Sequence, residues 1–173
     1  MTKRIPQLLL AVLFCALGWS TAAFAVIPPS NFVVTNTADT DDGTCDADCS
    51  LREAINAANS HTDDSAITFD PMVFNSAQTI TLSSGFTLSA NVTITGPAAG
   101  VTLDGVNHSF TLFTVNTGVN AGFNNLTISN TSSGIYNYGT ATVTNSTLSS
   151  NHEGIYNRGK ATVTNSTPSN KNR

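Results

Sequence analysis

Residues 134–153 read GIYNYGTATVTNSTLSSNHE and residues 154–173 read GIYNRGKATVTNSTPSNKNR, two copies of one 20-residue unit. A weaker copy precedes them: Phe123, Asn125, Thr127, Ile128 and Ser129 fall in register with Val143, Asn145, Thr147, Leu148 and Ser149. Tandem units of this length bury their apolar faces only against their neighbours, so the pattern predicts a solenoid. Helical repeats are excluded by content, because β-branched residues, Gly and Asn stand where a helix favours Ala, Leu, Glu or Lys. The chain must coil as strands and turns, with equivalent positions of successive coils about 4.8 Å apart.

That spacing assigns columns. Asn125, Asn145 and Asn165 are expected to stack as a side-chain amide ladder, since Asn carries both donors and an acceptor. Three further columns follow: Ala121, Ala141 and Ala161; Val115, Ile135 and Ile155; Phe123, Val143 and Val163. The apolar columns are the expected interior. Gly134, Gly139, Gly154 and Gly159 are expected at corners that need positive φ or a close approach. Upstream, runs at 66–69, 79–82, 91–95, 101–103 and 110–112 keep apolar residues two apart between Gly, Asn, Asp or Pro turns, but without a strict period. Residues 66–173 therefore read as a parallel β-helix of about five coils in an all-β protein.

Composition agrees with this. Only 10% of the 173 residues are charged, against the quarter or so usual in soluble domains. Their place is taken by 19 Asn, 26 Thr and 18 Ser. Such a chain is neither a coiled coil, a helical bundle nor a basic nucleic-acid binder.

The N-terminal 25 residues have a different character. Lys3 and Arg4 precede an apolar run at 8–17, and Ala23-Phe24-Ala25 supplies the small residues that a signal peptidase reads. Residues 1–25 are the expected Sec signal peptide, their apolar run too short for a bilayer core of ~30 Å. The mature chain is not expected to span a membrane. It carries 5 basic and 11 acidic residues, a sign that disfavours nucleic acid as a partner. Cys45 and Cys49 are its only cysteines, and in an oxidising compartment they are expected to form a disulfide. A metal site there would need two further Cys or His ligands, and only His61 is near.

Residues 26–65 read as a cap on the solenoid. Ser50 and Glu53 have the spacing of a capping box, and Leu51, Ala54, Ile55 and Ala58 share one face of the helix that runs through Asn59. Its expected place is across the open end of the first coil. The preceding loop holds Asp39, Asp41, Asp42, Asp46 and Asp48, five of the eleven acids. Ca²⁺ is the functional alternative there, but Gly43 stands where a third oxygen ligand belongs, so a solvated acidic loop without a cofactor is expected.

Residues 34–59, VTNTADTDDGTCDADCSLREAINAAN, resemble the CSLREA domain, named for the string that is Cys49 to Ala54 here. The repeats resemble the right-handed parallel β-helix segments that follow that domain in bacterial proteins related to polymorphic outer-membrane and pectate-lyase-like proteins. The resemblance implies a bacterial exported protein, secreted or on the cell surface, and a right-handed coil. It carries over no catalytic residues. Such proteins run on for many more coils, whereas here Pro168 replaces Leu148 of the preceding copy and Asn170-Lys171-Asn172-Arg173 follow. Proline removes a ladder donor, so it either closes the solenoid or marks a truncated one; truncation is the expectation.

Three functions compete. A non-enzymatic scaffold for adhesion or assembly, with a cell-surface glycan or protein as partner, is favoured because no titratable cluster converges in the sequence. A pectate-lyase-like carbohydrate-active enzyme would need facing carboxylates or a base with a metal, and the nearest grouping is His152, Glu153 and Arg158. Ice binding would use Thr142 with Thr144 and Thr162 with Thr164, but Gly122 interrupts that array.

Overall fold

Short runs that alternate apolar and hydroxyl residues are strand formers, and turns of a few residues let them pair only with the next coil. The computed structural model describes residues 30–170; the expected signal segment lies outside the described residues. It holds three parallel sheets and one helix. Sheet A stacks β1 (Ser30–Val34), β2 (Ser65–Phe69), β5 (Val92–Thr95), β8 (Asn120–Asn124), β11 (Thr140–Thr144) and β14 (Lys160–Thr164). Sheet B stacks β3 (Gln78–Thr81), β6 (Val101–Asp104), β9 (Thr127–Ser129), β12 (Thr147–Asn151) and β15 (Thr167–Asn170). Sheet C stacks β4 (Phe86–Leu88), β7 (Thr111–Val115), β10 (Ser133–Asn137) and β13 (Glu153–Asn157). From β2 onward the chain visits A, B and C in turn, which is a three-sided parallel β-helix. The expected right hand is the one that parallel crossover connections take almost without exception.

Each sheet contributes a central column of apolar residues to the interior, flanked by further buried positions such as Val92, Ala121 and Ala141 on sheet A and Leu88 and Val115 on sheet C. In the last coil Val163 is 41% exposed. On sheet A, Ile67, Ile94, Phe123, Val143 and Val163 stack, in steps of 27, 29, 20 and 20 residues. Sheet B contributes Ile80, Leu103, Ile128 and Leu148, and sheet C contributes Phe86, Phe113, Ile135 and Ile155. Phe113 links the columns: its ring lies 5.5 Å from Phe86 and 4.9 Å from Phe123, centroid to centroid. The strict 20-residue period therefore belongs to the last coils only. Upstream coils absorb extra residues in turns, such as 70–77, which tucks Phe74 into the core beside Phe69.

Two of the columns are as expected, Ala121 with Ala141 and Ala161, and Phe123 with Val143 and Val163. The column through Ile135 is not. Ile135 stacks on Phe113, and Val115 pairs with Asn137 instead. The turn from β7 to β8 spans 116–119 whereas the turn from β10 to β11 spans only 138–139, so a count of 20 lands two residues off on sheet C.

At the corners Gly134, Gly139 and Gly159 serve the close approach, one of the two expected roles, and positive φ is left to other residues. Positive φ falls to Asn125, Asn145 and Asn165, at 55°, 50° and 48°, between the A and B strands of successive coils. Asn tolerates this left-handed conformation better than other side-chain-bearing residues do. Gly139 is needed for close approach alone, since a Cβ there would run into the carbonyl oxygens of Val119 and Asn116.

Phe113 is fully buried between two coils, whereas its neighbour Thr114 faces outward. Phe113→Ala is expected to lower unfolding free energy by about 3–5 kcal/mol in urea titration, and Thr114→Ala by less than about 1 kcal/mol.

Candidate functional site

The cap is tied to the first coil by side chains that the sequence places one helical turn apart. Helix α1 (Leu51–Asn59) buries Leu51, Ala54, Ile55 and Ala58 against the end of the coil. Ser50 Oγ accepts from the Glu53 amide at 3.1 Å, and the Ser50 amide donates to Glu53 Oε2 at 2.7 Å, completing the capping box. Asn59 stands in for a missing strand: its Nδ2 donates to the Thr87 carbonyl and its Oδ1 accepts from the Ser89 amide, both at 2.8 Å. The edge of β4 is thereby closed. Cys45 and Cys49 are bonded, with their sulfurs 2.01 Å apart.

The acidic loop is spent largely on this scaffold. Asp39 takes Arg52 through both oxygens, at 2.8 and 3.1 Å, and also accepts from the Ser83 amide and hydroxyl. The Arg52 guanidinium lies 4.6 Å from the Phe86 ring centre, so one residue joins loop, helix and first coil. Asp41 accepts from Asn56, and Asp42 accepts from the Thr44 amide. Among the described residues no three His, Cys, Asp or Glu side chains are grouped to hold a metal ion.

Asn125, Asn145 and Asn165 occupy equivalent corners, but no amide-to-amide bond joins them among the described residues. Their expected side-chain ladder is corrected to a backbone one, the amide of Asn125 donating to Thr144 and that of Asn145 to Thr164. The left-handed corner explains this, because it spends the residue on backbone conformation, and Asn125 Nδ2 turns to the carbonyls of Gly96 and Pro97. The side-chain ladder is elsewhere. Asn137 donates to Asn157 at 2.7 Å, Thr131 to Asn151 at 2.8 Å, and the Ser146 amide to Ser166 Oγ at 3.0 Å.

His152, Glu153 and Arg158 do not converge. The His152 ring stacks on His108 at 4.8 Å, Glu153 accepts from Ser133 at 3.4 Å, and Arg158 turns to Tyr156.

A shallow cleft of about 440 Å³ lies across the outer face of sheet A. In the outward column Thr93, Gly122, Thr142 and Thr162, the glycine breaks the row of threonines and Thr93 packs over it, since a Cβ there would sit 2.9 Å from Thr93 Oγ1. Thr93, Asn120, Asn124, Thr140, Thr142 and Thr144 line it with hydroxyls and amides, and Asp64, held by Asn91 at 2.9 Å, is its only carboxylate. Asn124 Oδ1 is shielded there without a hydrogen-bond partner among the described residues. In the sequence Gly122 is legible only as a break in the threonine array, and the cleft appears only once the strands are stacked.

No family model, no curated protein and no solved structure matches this chain.

The buried Glu53 makes the cap sensitive to acid. Burial raises its pKa, but the amides of Ser50 and Asp42 and the Ser50 hydroxyl outweigh that and hold it below the ordinary value of 4.5. A carboxylate with a depressed folded pKa adds stability that is complete above about pH 4.5 and is lost as pH falls through the folded value. Thermal unfolding is expected to drop steeply below that pH, and Glu53→Gln should flatten the drop while lowering the midpoint at neutral pH. An equal acid slope in both proteins would contradict this role.

Proposed function

We propose that the chain is an exported, non-enzymatic β-helix scaffold of a bacterial cell-surface or secreted protein, which uses the outer face of sheet A to hold a surface glycan or protein in adhesion or assembly. The cleft carries this reading. Apart from Asp64, its polar walls are uncharged hydroxyl and amide groups on four adjoining strands, held rigid by ladder hydrogen bonds, and a preformed concave surface binds without an ordering penalty. Export is supported by the signal-like residues 1–25, by the Cys45–Cys49 disulfide and by the CSLREA-like segment at 34–59. A scaffold is favoured over a carbohydrate-active enzyme because the acids of the coils stand apart: Asp104 accepts from Asn130 Nδ2 at 2.9 Å, and Glu153 lies against Ser133. Neither faces a second carboxylate.

Thr142→Trp fills the cleft from an outward position without touching the interior column. On an array of surface glycans and envelope proteins, chain purified from residue 26 onward is expected to retain a partner that this variant loses by about tenfold or more, at unchanged far-UV circular dichroism. Release of reducing or unsaturated sugar ends by the unaltered protein would instead establish catalysis and overturn the scaffold reading.

A further inference from the structure

A second surface, on sheet C, has different chemistry. Repeat positions 136 and 156 are both Tyr, and positions 138 and 158, two residues on, are Tyr and Arg. Stacking therefore puts four flat side chains on two adjacent rungs of one outer face. Tyr136 lies on Tyr156 with ring centres 4.5 Å apart, and on Tyr138 at 4.8 Å. Arg158 donates to the Tyr156 hydroxyl from both Nη2 and Nε, at 3.1 and 3.3 Å. Its guanidinium carbon sits 5.4 Å from the ring centre. Among the described residues nothing covers this group: Tyr138 is 41% exposed, and Arg158 is exposed as well.

All three tyrosines of the protein are here. So are two of its cations, because Lys160 follows Arg158 by two residues and is also exposed. Among the described residues the one salt bridge belongs to Arg52 and Asp39, which leaves Arg158 and Lys160 without a carboxylate partner. A positive spot on a chain of net charge −4 is a local device and not a bulk property. Tyr136 is pushed up to about 12, chiefly by its hydrogen bond with Tyr138, so the phenol stays neutral over the physiological range.

Exposed phenol rings offer an apolar face and a polar edge together, and tyrosine and arginine are the residues that concentrate binding energy at recognition surfaces. A pyranose ring has the same division, with C–H groups on its faces and hydroxyls around its edge. The guanidinium has Tyr156 on its Nε side but no carboxylate among the described residues, and its two Nη groups still offer an end-on fork of donors that a planar carboxylate matches. We propose that Tyr136, Tyr138, Tyr156 and Arg158 form a platform that binds an acidic glycan, with uronic-acid rings stacked on the phenols and a carboxylate on Arg158. Lys160 flanks the anion. The platform is separate from the sheet A cleft and does not depend on it.

The chain from residue 26 onward has no tryptophan, since Trp19 is the only one, so its intrinsic emission comes from these tyrosines alone. Oligoglucuronate titrated into that protein is expected to change the emission saturably. The carboxyl-reduced, neutral oligosaccharide and oligoglutamate should each bind at least about tenfold more weakly. By calorimetry, Arg158→Ala should weaken oligoglucuronate binding about tenfold and remove most of its salt dependence, and Tyr136→Ala should weaken it as much or more. Tyr156→Phe, which keeps the ring and frees Arg158, should retain binding and certify the fold if Tyr136→Ala is unstable. Absence of a saturable change at millimolar oligoglucuronate would overturn the proposal. Equal affinity for the neutral sugar would do so as well, and tighter binding of oligoglutamate would reassign the surface to an acidic peptide.

Discussion

Parallel stacking in register, one rung about 4.8 Å above the next, is the constraint on which everything else in this molecule rests. It lays each residue on its counterpart one coil away, so a residue type is tolerated only if it is compatible with its own kind. Like charges in such a column repel, whereas Asn, Ser, Thr and Ala do not. The 10% charge of the chain is the result, and the acids gather in the cap loop, which is not stacked. Polar groups in the coils are useful where they complement themselves, as Asn137 does with Asn157 and Ser146 with Ser166.

A stack also has an end that must be closed. The first coil is covered by an amphipathic helix, and Asn59 supplies the donor and acceptor that an additional strand would have given β4. Glu53 and Asp39 are the charges brought closest to the interior, and each is matched by several donors, as a desolvated carboxylate requires. The same logic explains where function is read. Surfaces that differ from the uniform polar face lie where the column is broken, by Gly122 on sheet A and by the aromatic and arginine pairs on sheet C.

Much of this is legible in the residues. The 20-residue period, the alanine and Phe123 columns, the Cys45–Cys49 bond and the Ser50–Glu53 capping box follow from spacing alone, because each depends on local geometry or on a repeat with no insertion. What escapes is what turns decide. Two additional residues between β7 and β8 move Ile135 from Val115 to Phe113, and the longer upstream coils have no common period to count. The asparagine at each A-to-B corner looked like a ladder residue by identity, but left-handed backbone conformation is what selects it there. The tyrosine and arginine platform is hidden for the opposite reason, since Tyr138 and Arg158 are different residues whose kinship appears only once they are stacked on one face.

The central claim is the register itself, and the alanine column measures it. Ala121, Ala141 and Ala161 occupy successive rungs of sheet A, so their methyl groups should be about one strand spacing apart in sequence order. In methyl-labelled protein, nuclear Overhauser contacts are expected between Ala121 and Ala141 and between Ala141 and Ala161, with none between Ala121 and Ala161. Missing neighbour contacts, or cross-strand contacts between sequence-adjacent strands such as β11 and β12, would contradict the stacked coil.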